Sequence, residues 1–67
     1  MRREEVRDLI IGYKEDGFDR MDIELKEDKV IKIDESDELS FNPNFIIVRG
    51  KGYIFYIGYN FIEGIAI

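Results

Sequence analysis

The strongest constraint on this chain is that its last strand-like segments are apolar on both sides. In residues 45–48 and 53–57, apolar or aromatic side chains occupy both of the alternating positions. A strand with one solvated face would alternate apolar and polar residues. Both faces of this part of a sheet therefore require cover, either because the strands curl into a barrel or because another subunit packs against them.

The short length of the chain leads us to expect a source of stability beyond its own hydrophobic core. A chain of 67 residues is close to the lower limit for independent folding, where disulfides, a metal or burial against other subunits usually add stability. The sequence contains neither cysteine nor histidine, which excludes disulfides and Cys/His zinc sites. We therefore expect one domain over residues 1–67, supported by oligomerisation or by carboxylate-bound ions.

Composition and charge narrow the class of protein. Hydrophobic residues make up 45% of the chain and charged residues 37%, which is typical of a globular protein. The acidic net charge of −5 argues against binding to nucleic acid mainly by charge, because that mode requires clustered Lys and Arg. No apolar run approaches the roughly 18 residues of a membrane span, so we expect a cytoplasmic protein without a membrane partner.

The first part of the chain has the spacing of an amphipathic helix. Val6, Leu9, Ile10 and Tyr13 lie at i, i+3, i+4 and i+7, which places them on one helical face. This pattern predicts a helix over residues 3–15 that packs this face against the remaining structure, with Gly17 as its stop. The alternative is a strand over residues 9–13.

From Met21 the apolar period changes to two, which predicts strands. Residues 26–29 read as a polar turn, Asn42-Pro43-Asn44 as the strongest turn signal, and residues 49–52 as a hairpin whose two glycines supply positive φ values. The acidic stretch 34–38 is either a bent strand or a loop. The result is a mainly β chain of about five short antiparallel strands, at residues 21–25, 30–33 extending to 39–41, 45–48, 53–57 and 61–67.

The order of these elements resembles the Sm-like (LSm) superfamily of small β-barrels. Residues 21–28, Met-Asp-Ile-Glu-Leu-Lys-Glu-Asp, resemble the first strand and turn of that family, and residues 55–65 are similar to its closing strands. Asp28-Lys29 stands where the family usually has Asp-Gly. The resemblance implies an N-terminal helix at 3–15 and a small Sm-like or SH3-like barrel at 21–67, with subunits joined through the fourth and fifth strands.

The resemblance also implies a site for RNA. Sm proteins bind uracil between two loops, which correspond by position to residues 41–44 and 58–60 here. Asn44 resembles the base-contacting Asn of the family, and Tyr59 and Asn60 lie in the second loop. The family places an Arg-Gly pair in that second loop, whereas this chain has Arg49-Gly50 one hairpin earlier.

Other polar and aromatic residues have both a functional and a plain structural interpretation. Arg49 and Lys51 join two positive charges to flexible backbone and could contact a phosphate, or they belong to an ordinary hairpin. The aromatic residues Tyr53, Tyr56, Tyr59 and Phe61 could stack on bases, but sheet core and subunit contacts explain them more simply.

The acidic stretch and the hydroxyl groups offer little chemistry. Asp34, Glu35, Asp37 and Glu38 could ligate a hard cation, but their spacing does not fit a calcium loop, and a solvated strand edge is the simpler reading. Ser36 and Ser40 lie beside carboxylates without the pattern of an activated nucleophile. We therefore predict no catalytic residue, cofactor, metal or small-molecule substrate.

These observations support three functional hypotheses. The first is a non-enzymatic interaction module that acts as a homo-oligomer, the second is RNA or single-stranded nucleic-acid binding by an Sm-like ring, and the third is an acidic mimic of nucleic acid. A basic ring face would favour the second and a continuous acidic stripe the third. The residues predicted to form the subunit contact are Tyr53, Phe55, Ile57, Phe61 and Ile65.

Overall fold

The computed structural model describes residues 1–67 and contains one helix followed by six strands. The helix α1 spans Arg3–Glu15. The prediction of a mainly β chain with an N-terminal helix is confirmed, and the strand alternative for residues 9–13 is wrong. The strands are β1 (Met21–Leu25), β2 (Val30–Ile33), β3 (Glu38–Phe41), β4 (Phe45–Gly50), β5 (Tyr53–Gly58) and β6 (Ile62–Ala66).

Helix α1 buries the face that its spacing predicts. Val6 and Ile10 are at most 1% exposed, while Leu9 and Tyr13 are half-buried at the flanks of the same face. Ile11 lies outside the face and is 42% exposed. The helix is too short and too polar to cross a membrane.

The end of α1 is fixed by a glycine. Gly17 has φ +89°, and its N–H donates to the Lys14 carbonyl (3.1 Å) while the N–H of Phe18 donates to the Tyr13 carbonyl (2.9 Å). The Phe18 and Tyr13 rings meet edge to face at 6.4 Å. This paired hydrogen bonding with an apolar contact is the Schellman motif, which satisfies the last carbonyls of a helix.

The strands form two antiparallel sheets of three strands, in the orders β2-β1-β6 and β3-β4-β5. The first and last strands are neighbours, with Ile23 opposite Ile65. No pairing joins the two sheets into the closed barrel that we expected. The bend at residues 34–37 sends β2 and β3 to different sheets, and a 3-10 turn at Tyr59–Phe61 separates β5 from β6.

The two sheets and the helix share one hydrophobic core. In β4, Ile46 and Val48 point into it, and the strand register sets Ile57 of β5 opposite Ile46. Because side chains alternate along a strand, this register decides which side of β4 and β5 faces inward. The core consists of Val6, Ile10, Met21, Ile23, Ile33, Ile46, Val48, Ile57, Tyr59, Ile62 and Ile65.

Two of the connecting turns have unusual backbone geometry. Between β1 and β2, Glu27 and Asp28 both adopt left-handed conformations, with φ 65° and 59°, whereas Lys29, which stands where the Sm-like pattern has glycine, has φ −87°. Between β4 and β5 only Gly52 has a positive φ, of +80°. The prediction that Gly50 also supplies a positive φ is wrong. Glycine is favoured at position 50 by packing, because a side chain there would overlap the Tyr53 ring.

Truncation of the buried helical face should destabilise the fold according to burial. We expect Ile10→Ala to cost about 2–5 kcal/mol in the free energy of unfolding, since Ile10 is fully buried and a cavity would remain. Leu9→Ala should cost less, because that side chain keeps some contact with water. Urea unfolding measures both. Ile11→Ala is the matched control, and a loss as large as that of Ile10→Ala would contradict the observed orientation of α1.

Candidate functional site

The residues predicted to contact nucleic acid separate into two groups. Asn44, Tyr59 and Asn60 line one open cleft of about 740 Å³. Arg49 and Lys51 lie at the β4–β5 hairpin instead, and Arg49 is five residues further along the chain than Asn44. At about 3.3 Å per residue that separation is roughly 16 Å. The cleft therefore gathers the residues that the Sm-like pattern indicates and excludes the two basic residues of the hairpin.

Tyr59 holds the two loops of the cleft together. Its hydroxyl donates to the Asn42 carbonyl (2.7 Å), and its backbone N–H donates to the Asn44 carbonyl (3.4 Å). The side chain is only 5% exposed, so its ring is part of the core and is not available for stacking. Tyr59 can therefore contact a ligand only through the small part of it that lines the cleft, whereas Asn44 and Asn60 are exposed.

The N-terminal arm supplies the positive charge that borders this cleft. The Met1 nitrogen donates to the carbonyls of Tyr59 (3.0 Å) and Ile62 (2.8 Å). Arg3 donates through Nε and Nη2 to the Phe41 carbonyl (3.3 and 3.2 Å). Arg2 also lines the cleft and is exposed, with a contact of 3.5 Å to Glu5.

Sequence reasoning did not identify Arg2 and Arg3. Arg2 precedes helix α1 and Arg3 begins it, whereas Asn44 and Asn60 lie 42 and 58 residues after Arg2. No local sequence pattern connects residues so far apart. The packing of α1 against β6, where the Tyr13 hydroxyl donates to the Ile65 carbonyl (3.3 Å), acts together with the hydrogen bonds of Met1 and Arg3 to bring Arg2 and Arg3 beside Asn44. The pairing of β1 with β6 completes this arrangement.

A second polar cluster fixes the bend between β2 and β3. Asp37 is only 8% exposed; its carboxylate accepts hydrogen bonds from the Asp34 N–H (3.0 Å) and from the Tyr53 hydroxyl. Asp34 in turn accepts from the N–H and Oγ of Ser36 (2.8 and 2.6 Å), and these bonds lower the pKa of Asp34. The prediction of a solvated acidic stretch therefore agrees with the exposed residues Asp34, Glu35 and Glu38, but it is wrong for the buried Asp37.

The predicted subunit-contact residues also separate by burial. Ile57 and Ile65 belong to the core and are 6% and 7% exposed. Their assignment to a subunit contact is corrected by the register, since both face inward in the protomer. Tyr53, Phe55 and Phe61 are exposed, although the Tyr53 hydroxyl is already bound to Asp37.

The cleft offers hydrogen-bonding groups on an open surface, with the positive charges of Met1, Arg2 and Arg3 and the negative charge of Glu4. The amides of Asn44 and Asn60 can donate and accept, which suits the edge of a base, and Arg2 can pair with an anionic group such as a phosphate. No group of three or more acidic, His or Cys side chains is placed to hold a metal ion. Every buried side-chain nitrogen and oxygen has a hydrogen-bond partner.

Comparisons with protein-family models, curated proteins and solved structures give no match for this chain. The Sm-like resemblance therefore rests on the residues and the order of elements alone.

The tyrosine hydrogen bonds should make the fold sensitive to alkaline pH. The bond to Asp37 raises the pKa of Tyr53 above its usual value of 10.0, and burial raises that of Tyr59. A raised folded-state pKa means that the contribution is complete below about pH 10 and is lost as the pH rises through the folded pKa. Urea midpoints at about pH 8 and about pH 11 should show this loss.

Variants separate the contribution of Tyr53 from general alkaline unfolding. Tyr53→Phe should unfold more readily at about pH 8 and lose less stability between the two pH values than the wild type. Tyr56→Phe is the matched control, because its hydroxyl makes no hydrogen bond and its side chain is 63% exposed. An identical pH response of Tyr53→Phe and wild type would show that the bond to Asp37 contributes nothing.

Proposed function

We propose that the protein is a non-enzymatic interaction module that acts as a homo-oligomer, built on two three-stranded sheets whose order of strands resembles the Sm-like or SH3-like type. The observation that carries the proposal is that β5 and β6 each lie at a free edge of their sheet. A free edge presents unpaired backbone N–H and C=O groups to any complementary strand. Edge pairing between subunits satisfies these groups and covers apolar side chains at the same time.

The sequence of strand β5 lacks the residues that usually protect an edge. Natural edge strands carry charges, especially Lys, or proline, whereas β5 reads Tyr-Ile-Phe-Tyr-Ile-Gly. Four of its side chains are at least 40% exposed, and Phe55 is 41% exposed. By contrast, the edge strands β2 and β3 carry Lys32 and Glu38. The composition of β5 therefore supports a role as a pairing strand.

Pairing of β5 in one copy with β6 in the next is the arrangement that the Sm-like resemblance favours. Such a contact uses two different surfaces of each subunit, so it repeats around a closed ring or along an open filament. The antiparallel pairing of β1 with β6 leaves the opposite edge of β6 available. Phe61, in the turn between β5 and β6, is also exposed and adds apolar surface beside both edges.

Light scattering with lysine substitutions tests this assembly. Phe55→Lys and Phe61→Lys should reduce the mass to at most twice the 8.0 kDa of one chain while leaving the circular dichroism spectrum folded, because a charge at the edge opposes strand pairing. Ile11→Lys is the matched control: its side chain is 42% exposed but lies on α1, so the mass should stay unchanged. Ile57→Lys should unfold the chain, since it places a charge in the core.

A folded wild-type monomer at high micromolar concentration would contradict the proposal. So would an unchanged mass for both Phe55→Lys and Phe61→Lys.

We also infer a second candidate function, the binding of RNA or single-stranded nucleic acid in the cleft. It is supported by the presence of Arg2, Asn44 and Asn60 around one cleft, although they come from three separate parts of the chain. Amide side chains read base edges, and arginine pairs with phosphate. The aromatic residue of the second loop is buried, so recognition here relies on hydrogen bonds and charge.

Fluorescence anisotropy with labelled oligouridine and oligocytidine tests the cleft. Asn44→Ala and Asn60→Ala should each lower the affinity for oligouridine by about tenfold, since a base-specific pair of hydrogen bonds contributes about 1–3 kcal/mol. Lys51→Ala is the control outside the cleft and should leave the affinity almost unchanged. Equal affinity of Asn44→Ala and wild type, or a loss confined to Lys51→Ala, would exclude the cleft as the site.

A further inference from the structure

The sheet β3-β4-β5 has a second face that points away from the core. Ile46 and Val48 of β4 are buried, so the alternate residues of β4 and their partners on β3 and β5 must point outward. The register places Glu38 opposite Arg49, Ser40 opposite Ile47, and Ile47 opposite Tyr56. We call this surface the outer face; it consists of Glu38, Ser40, Phe45, Ile47, Arg49, Ile54 and Tyr56.

The centre of the outer face is apolar and has no cover within the protomer. Tyr56 is 63% exposed, more than any other large hydrophobic residue, and Ile54 is 40% exposed. The Tyr56 ring meets the Phe45 ring edge to face at 5.7 Å. Helix α1 packs near β6 and does not cover this side. A contiguous exposed patch of this kind typically marks a protein contact.

Charged residues are sparse on and around the outer face. Residues 39–62 contain Arg49 and Lys51 but no Asp or Glu, so this segment carries +2 and the remaining residues −7 of the net −5. On the outer face itself the only ionisable groups besides the Tyr56 hydroxyl are Glu38 and Arg49. They lie side by side on neighbouring strands, yet neither takes part in any of the three ion pairs of the protomer.

We propose that the outer face binds the outer face of a second copy about a two-fold axis, with Glu38 of each copy against Arg49 of the other. A two-fold contact brings the same patch together twice, so the patch must be complementary to itself. One charge of each sign beside an apolar centre satisfies that requirement. The apolar centre excludes water, and the two reciprocal ion pairs set the alignment of the faces.

This contact is independent of the edge pairing of β5 with β6. Edge pairing extends the sheets sideways and leaves the outer face uncovered, so both contacts can exist in one assembly. A second copy fits this patch because Glu38 and Arg49 of one copy can each meet the oppositely charged group of the other. A strongly basic or acidic partner would instead be favoured by a surface of one sign.

Charge reversal tests the proposal. Arg49→Glu and Glu38→Arg each place like charges opposite one another across the two-fold contact, so each variant alone should have half the wild-type mass by light scattering. An equimolar mixture of the two variants should recover the wild-type mass. In a contact between one copy of each variant, positions 38 and 49 that face one another again carry opposite charges. The double variant E38R/R49E should assemble like the wild type, and Tyr56→Ser should halve the mass without recovery on mixing.

The recovery on mixing separates lost assembly from lost folding, since a misfolded variant would not regain the contact. If edge pairing fails while this contact holds, the wild type has twice the 8.0 kDa of one chain and the single reversals are monomers. If Arg49→Glu, Glu38→Arg and Tyr56→Ser all keep the wild-type mass, the proposal is wrong. A loss of oligouridine binding in Arg49→Glu and Tyr56→Ser at unchanged mass would assign the outer face to nucleic acid instead.

Discussion

Tyr59 is the residue through which the two sheets are connected. It follows β5 and precedes β6, and its hydroxyl, N–H and carbonyl all form hydrogen bonds, with the Asn42 carbonyl, the Asn44 carbonyl and the Met1 nitrogen. Its ring is buried in the core shared by both sheets. The backbone and the side chain of Tyr59 contact the loop at residues 42–44 and the N-terminal residue. The chain thus uses an aromatic residue where a disulfide or a metal would serve in other small proteins.

Sequence patterns predicted most helices and strands near their observed positions, but they did not predict which faces of β4 and β5 are buried. Helix α1 has the bounds that its spacing predicts, because its period of apolar residues is unambiguous. In β4 and β5 both alternating positions are apolar, so the pattern contains no information about which side faces the core. The register resolved this by placing Ile57 opposite the buried Ile46, so Ile57 is buried in the protomer and not at its surface. Ile65 is buried for a different reason, its pairing with Ile23 of β1.

The polar sites depend on contacts between distant parts of the chain. Asn44 and Asn60 could be identified from the resemblance, but Arg2 and Arg3 could not, because a helix face has no sequence relation to a loop near residue 44. The pairing of the Tyr53 hydroxyl with Asp37 was hidden for the same reason. Gly50 is a further example, because its position in the sequence suggested that it shapes a turn, whereas in the structure it makes room for the Tyr53 ring.

The pairing of the first strand with the last has a consequence for the order of folding. The ladders β1–β2, β3–β4 and β4–β5 join segments that are adjacent in the chain, whereas β1–β6 sets Ile23 opposite Ile65. Closing so long a loop costs more chain entropy than forming a hairpin, so contacts of this kind slow the folding of small proteins. We expect the three local ladders to form early and β6 to dock last. Until it does, β1 has an open edge, and a newly synthesised chain would be most vulnerable to mispairing with its neighbours during that interval.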